Sequence, residues 1–178
     1  MWDRQRAIEA ILYLANRVSE PTVLRILKLL YLADKLHLSR HGRFILRDHY
    51  VAMEFGPVAS NTYDLMKQGV AQSFAVVDKR DVVPCRDADV MAFSRTDQEC
   101  LDEIVATYGR ASTERLIDVA HDQVWKGITD GGRKVKKDAP GPKSLPMPIE
   151  CIVDDLPNGA EVREQLGYLE RQGYPRPK

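Results

Sequence analysis

The chain has 178 residues, enough for one domain that buries a sizeable core without disulfides or structural metals. Its 26 Lys and Arg residues balance 26 Asp and Glu residues, so it lacks the overall basic excess of a nonspecific nucleic-acid binder. Aromatic residues make up only 7% of the chain, which favours a helix-rich fold over an all-β fold. The three cysteines, Cys85, Cys100 and Cys151, are widely spaced and odd in number, which indicates a reducing compartment.

The start of the chain lacks the continuous apolar run of a secretory signal, and no stretch is apolar for long enough to span a membrane. We therefore expect a soluble, cytoplasmic protein with no membrane partner. The first predicted helix runs from about Asp3 to Val18. Its apolar residues recur at helical spacing, and Asp3 suits the positive end of the helix dipole.

The second predicted helix is apolar on nearly every face and follows Thr22. A helix of this kind is typical of a protein core. Thr22 is a suitable N-cap, and Gly42 suits the left-handed residue that ends a helix. Because buried charges are costly unless they are paired, we expect Lys28, Asp34 and Lys35 to reach the surface or to find partners.

A third helix is predicted from Pro57 to Gln68, because glycine followed by proline is typical of a helix start. The residues before it, Arg47 to Phe55, indicate a short extended or irregular stretch. Gly69 would end the helix. Its buried stripe would comprise Val58, Thr62, Leu65 and Met66.

The order and spacing of several short motifs resemble a known family. The string KLLYLAD at 28–34 is followed by Gly42-Arg43, by Asp48, Tyr50 and Ala52, and by Gly56-Pro57-Val58. This block resembles the Panacea domain, the family of SocA-like antitoxins and phage-associated proteins, and a looser pattern continues around Trp125. Phe44 stands where the family usually has proline, which changes the local turn without changing the expected fold.

The resemblance implies an antitoxin that binds and neutralises a cognate toxin protein, encoded by a neighbouring gene, by direct contact and without catalysis or a cofactor. It also implies a fold-defining or partner-binding role for the residues that match the motif. They are Lys28, Tyr31, Asp34, Lys35, Asp48, Tyr50, Gly56 and Pro57, and Trp125 is a further candidate interface residue. The motif does not by itself locate the toxin interface, and the oligomeric state is left open.

The second half alternates short apolar runs and helical patterns. Residues 74–93 predict two or three short strands, and Thr96 with Glu99 predicts a capping box for the next helix. Ser112 then predicts the cap of a helix that reaches about Trp125. The predicted fold class is α+β and mainly α-helical, a single compact domain over residues 1–178 with a small two- or three-stranded antiparallel sheet.

Residues 127–148 are rich in glycine, proline and basic side chains. Because the segment lacks an apolar run to build a core, we interpret it as a mobile basic loop. Ile149 to Val153 predicts a short strand, and Glu161 to Gln172 predicts a last helix that Gly173 ends. Residues 174–178 are expected to form a frayed tail. The buried side of the last helix would comprise Val162, Leu166 and Leu169.

Two other functions remain open from the sequence. Asp34, His37 and His41 share one helical face, which suits a divalent metal in a metal-dependent enzyme. The helix pair from Thr96 to Trp125 and the basic residues at 133–143 suit a nucleic-acid-binding regulator of a phage or mobile element. The acidic residues of the second helix argue against that use. The common catalytic and nucleotide-binding motifs do not occur, so we predict no catalytic residues.

Overall fold

The computed structural model describes residues 2–138 and 140–172. Helices dominate this part of the chain, and two small antiparallel sheets accompany them, which confirms the predicted mainly helical α+β class. In chain order the elements are α1 (Arg4–Ala15), α2 (Val23–His41), β1 (Tyr50–Met53), β2 (Gly56–Ala59), α3 (Ser60–Gln68), β3 (Phe74–Val77), β4 (Asp81–Pro84), α4 (Arg95–Tyr108), α5 (Thr113–Ala120), α6 (Gln123–Thr129), β5 (Ser144–Met147), α7 (Ile149–Asp154) and α8 (Gly159–Arg171).

Helix α2 lies at the centre of the fold, as its apolar sequence predicts. The Thr22 hydroxyl accepts a hydrogen bond from the amide of Arg25 at 3.2 Å, and Gly42 ends the helix with a left-handed φ of 66°. Both predicted caps are therefore confirmed. Helix α2 packs against α1, α4, α5 and β2, so nearly all of its faces are covered. Over the described ranges, no helix is both long and apolar enough to cross a membrane.

Gly56 and Pro57 begin strand β2, so the prediction that they start a helix is wrong. β1 and β2 form an antiparallel hairpin in which Met53 pairs with Gly56, and Glu54 and Phe55 form the turn. Gly56 has a φ of 103°, which a glycine adopts readily. Pro57 is tolerated because β2 is an edge strand. Helix α3 begins three residues later, at Ser60.

The segment 127–148 contributes to the core, contrary to the prediction. Residues 144–147 form β5, which pairs with β1 and places β1 in the middle of the order β2-β1-β5. Val135 is only 1% exposed, and Met147 is also buried. Composition does not show that β1 offers a free edge to this segment. The mobility of the rest of the segment stays a prediction.

Three other short apolar runs adopt structures that differ in part from the predictions. β3 and β4 form the predicted hairpin, but Val90–Ala92 is a 3₁₀ turn and not a third strand. Residues 149–154 form α7 and not a strand, since a short apolar run fits either structure. Val162 and Leu166 of α8 are buried as expected. The Leu169 side chain, Gly173 and the tail at 174–178 lie outside the described residues.

Two helix boundaries near the middle of the chain also differ from the predictions. Ser94 and Asp97 form the capping box of α4, two residues before the predicted pair Thr96 and Glu99. The helix that starts after Ser112 ends at Ala120, and Asp122 then caps the separate helix α6. The side chain of Asp122 accepts from the amide of Trp125 at 3.0 Å.

Candidate functional site

Lys28 lies on α2 directly beneath the β1–β2 hairpin, with only 2% of its surface exposed. Its Nζ donates to the carbonyl oxygen of Pro57 at 2.7 Å. Burial lowers the pKa of Lys28 to about 7. A Cβ added at Gly56 would lie 3.2 Å from this Nζ, a tight contact, and the φ of 103° also favours glycine at this position. Lys28, Gly56 and Pro57 therefore pack as one unit that fixes the hairpin on α2.

Asp34, six residues after Lys28 on α2, is buried, and both of its carboxylate oxygens accept hydrogen bonds. Its carboxylate accepts from the amides of Ile45 at 2.6 Å and Leu46 at 3.1 Å, and from the Tyr50 hydroxyl at 2.7 Å. Burial raises the pKa of Asp34 to about 6, although these hydrogen bonds oppose the shift. Asp34 thus ties the irregular chain after α2, and the start of β1, to the central helix.

Asp48 performs the same role for α3. The residue before α3 is Ala59, which has no side chain able to cap a helix. The buried carboxylate of Asp48 accepts instead from the amides of Asn61 at 3.2 Å and Thr62 at 2.8 Å, and from the Thr62 hydroxyl at 2.7 Å. The amides at the start of α3 therefore donate to a carboxylate that lies 13 or more residues earlier in the chain.

Tyr31 and Lys35 join α2 to the later helices. The Nζ of Lys35 lies 2.6 Å from carboxylate oxygens of both Asp122 and Asp155. The Tyr31 hydroxyl donates to the same oxygen of Asp122 at 2.5 Å. The ring of Tyr31 also packs edge-on against Tyr50, with 5.2 Å between the ring centroids. One cation thus offsets two carboxylates at the contact between α2, α6 and α7.

The structure places all eight residues of the predicted motif in or beside α2 and the hairpin, where they form internal contacts. Lys35 is the least buried of them, and its side chain is still only 18% exposed. The polar groups among them form hydrogen bonds or ion pairs with neighbouring elements, and the fold-defining role of the motif stays a prediction. Contact of any of these residues with a partner stays a prediction.

A cleft of about 700 Å³ opens beside the hairpin, between the first turns of α2, the turn before β4, the start of α5 and the chain after α6. Leu24, Leu27 and Val58 supply apolar lining, and Phe55 lies at the hairpin turn with 52% of its surface exposed. The charged side chains that line the cleft are Lys28, Lys79, Arg80, Lys137 and Lys143, with Glu54 and Glu114.

A family model described as "Antitoxin SocA-like, Panacea domain" matches residues 26–126, more than half of the chain. The chain belongs to this family. No curated protein and no solved structure matches it at a significant level. The matched Panacea domain spans most of α2, the hairpin and the helices as far as Trp125. β5 and Asp155, which complete the sheet and the Lys35 cluster, lie beyond the matched residues.

A third buried carboxylate of the Panacea domain, Asp97, was not recognised from the sequence as a member of a cluster. It accepts from the backbone amide of Ser94 at 2.8 Å and pairs with Arg6, Arg43 and the Nε2 atom of His37. Burial opposes its ionisation, but hydrogen bonds from His37 and Ser94 and the charge of Arg6 outweigh this and hold the pKa of Asp97 well below its usual range. The partners are distant in sequence, so no local pattern could reveal them.

The proposed metal face of Asp34, His37 and His41 does not form a metal site. Asp34 faces the Ile45 amide and Tyr50, whereas the Nδ1 atom of His37 lies 2.9 Å from the carbonyl oxygen of Arg43. Within residues 2–138 and 140–172, no group of three His, Cys, Asp or Glu side chains is arranged to hold a metal ion. The helical spacing was correct, but Asp34 is directed away from the two histidines, whose rings pack on each other with 4.6 Å between centroids.

Trp125, the other candidate interface residue, is buried and only 4% exposed. Its Nε1 donates to the carbonyl oxygen of Met53 at 2.8 Å, and its ring stacks on His121 with 3.5 Å between centroids. Trp125 therefore holds the hairpin through its hydrogen bond to Met53 and offers little surface to a partner.

The elements considered for nucleic-acid binding carry compensating charge. On α5 the guanidinium of Arg115 lies 2.9 Å from a carboxylate oxygen of Asp118, and Glu114 is also exposed. In the basic segment, Arg133 lies 2.6 Å from Asp130. These ion pairs lower the positive potential that phosphate binding requires.

Proposed function

We propose that this protein is an antitoxin that binds and neutralises a cognate toxin protein by direct contact in the cytoplasm. The toxin is encoded by a neighbouring gene. Membership of the Panacea family over residues 26–126 is the observation that carries the proposal. The family assignment also favours a role without catalysis, in which the surface of the protein blocks its target.

The internal contacts of the motif suit this role. Lys28, Asp34 and Asp48 use their polar atoms to hold the hairpin, the chain after α2 and the start of α3. A protein that neutralises by contact needs a scaffold with one stable shape, because each mobile group must be ordered on binding at a cost in affinity. These buried hydrogen bonds supply that rigidity around α2.

A growth-rescue experiment tests the proposal. Each open reading frame next to the gene is expressed alone and then together with this protein, and growth is followed in both cases. We expect one neighbour to arrest growth, this protein to restore it, and the two proteins to copurify. Coexpression of an unrelated toxin is the specificity control.

The proposal is wrong if no neighbouring product arrests growth. It is also wrong if growth is restored while the two purified proteins form no complex, since neutralisation would then not depend on contact.

A further inference from the structure

The exposed ring of Phe55 is held on a rigid support. The hairpin that carries it is fixed at Met53 by the hydrogen bond from Trp125, and at Pro57 by the hydrogen bond from Lys28. Both of these bonds come from buried side chains. An exposed aromatic residue on a preorganised turn binds a partner with little loss of conformational entropy.

Apolar side chains continue from Phe55 into the cleft. Leu27 and Val58 form part of its wall, and Tyr63 and Val135 also line it. The lining is mainly apolar, and the volume of about 700 Å³ is enough for more than one side chain of a partner. The amide of Lys137 donates to Glu54 at 3.3 Å, which holds the far wall against the hairpin.

The charge of the cleft differs from that of the whole protein. The chain has a formal net charge of zero, but apart from the buried Lys28 four cationic side chains and only two carboxylates line the cleft, although Arg80 also lies 3.5 Å from Asp81. Lys79, Arg80 and Lys137 are exposed among them. A partner segment that pairs apolar side chains with carboxylates would therefore match both the lining and the charge.

We propose that this cleft is the docking site for an acidic segment of the partner protein that inserts apolar side chains against Phe55. The proposal rests on the proposed antitoxin function and names the surface that contacts the toxin. Phe55 anchors the segment, and the cations around it select for aspartate and glutamate.

The first test uses the free protein and two short synthetic peptides, one with Leu and Phe alternating with Asp and Glu, and one with Lys in place of every acidic residue. Fluorescence anisotropy follows binding up to about 1 mM, the range of weak contacts. We expect binding of the acidic peptide only, weakening with added salt. A labelled single-stranded oligonucleotide should bind less tightly than this peptide. Equal binding of both peptides, binding of neither, or tighter binding of the oligonucleotide would overturn the docking site.

Two variants connect this binding to the cleft. Phe55→Ala should weaken the peptide complex about 30-fold, as expected for a central aromatic anchor. Its control is Met91→Ala, which removes an apolar side chain that is 84% exposed and does not line the cleft. The double variant K79E/K137E should abolish the preference for acidic peptide. R4E/R95E is its control, because it changes the net charge equally at exposed positions outside the cleft.

The same variants separate this inference from the proposed function. Once the growth-rescue experiment identifies the toxin, F55A and K79E/K137E should lose copurification with it while both controls keep it. If the wild type neutralises the toxin and the cleft variants bind it equally well, the docking site is wrong and the antitoxin function stands. If the acidic peptide binds at the cleft but no neighbouring product is toxic, the antitoxin function is wrong and the cleft remains a peptide site.

Discussion

Replacement of the buried Lys28 by methionine should stabilise this protein near neutral pH. Methionine keeps the apolar length of the side chain and removes the ammonium group. The pKa of Lys28 falls from its ordinary value of 10.5 to about 7 in the folded state, because burial penalises the charge. The unfolded chain therefore binds more protons between these two values, and the stability of the wild type rises with pH across that window.

The magnitude follows from the size of the shift. A shift from 10.5 to about 7 corresponds to a cost of about 4 kcal/mol at pH 7, relative to a lysine that is neutral in both states. Methionine removes this cost but leaves the carbonyl oxygen of Pro57 without its donor, which costs about 1–2 kcal/mol. We expect Lys28→Met to be more stable than the wild type by about 2–3 kcal/mol at pH 7, and this difference to shrink by about 2 kcal/mol at pH 9.

Urea unfolding of both proteins at several pH values between 7 and 9, followed by tryptophan fluorescence, measures this difference. The matched control is Lys35→Met on the same helix, where the lysine lies 2.6 Å from both Asp122 and Asp155. Its loss leaves two carboxylates without their cation and should destabilise the protein by about 2 kcal/mol or more. If Lys28→Met is less stable than the wild type by an amount that does not change from pH 7 to pH 9, the reasoning is refuted.

Three further substitutions test the contacts around the hairpin and α3 by the same unfolding assay. Asp48→Ala removes the acceptor for the amide and hydroxyl of Thr62 and should cost about 3 kcal/mol, so an unchanged midpoint would contradict its capping role. Gly56→Ala forces a Cβ into a left-handed, crowded position and should cost about 2 kcal/mol, whereas a neutral effect would mean that the hairpin adjusts freely. Trp125→Phe keeps most of the ring but leaves the Met53 carbonyl unpaired, with an expected cost of about 1–2 kcal/mol, and a stabilising effect would show that this hydrogen bond does not support the turn.

Local signals in the sequence predicted the helices well. Thr22 and Gly42 act on amides and carbonyls within one turn of their own positions, so the limits of α2 could be derived without knowledge of the fold. The capping box of α4 shows the limit of this approach, because Ser94 with Asp97 and Thr96 with Glu99 both fit the pattern. The structure uses Ser94 with Asp97, and in that arrangement Asp97 also forms ion pairs with Arg6 and Arg43.

The sheet and the motif contacts could not be predicted because their partners are distant in sequence. Gly56-Pro57 fits a helix start locally, and only the pairing of Met53 with Gly56 makes it a strand. In the same way, the sequence predicts that Lys35 needs a partner, but not that Asp155 is one of them. The sequence offers Met53-Glu54-Phe55 as an apolar stretch with a polar neighbour, but the exposure of Phe55 depends on how the hairpin packs and could not be predicted.

The position of β1 in the middle of its sheet has a consequence for how this protein is made. β1 can pair with its neighbour β2 soon after both have left the ribosome. The other edge of β1 stays unpaired until β5 has been synthesised, because its Tyr50 pairs with Met147, almost a hundred positions later. Throughout that interval the nascent chain carries an unpaired strand edge, which favours association with other chains. Translation speed between residues 60 and 144 should therefore influence how much of the newly made protein reaches its native form.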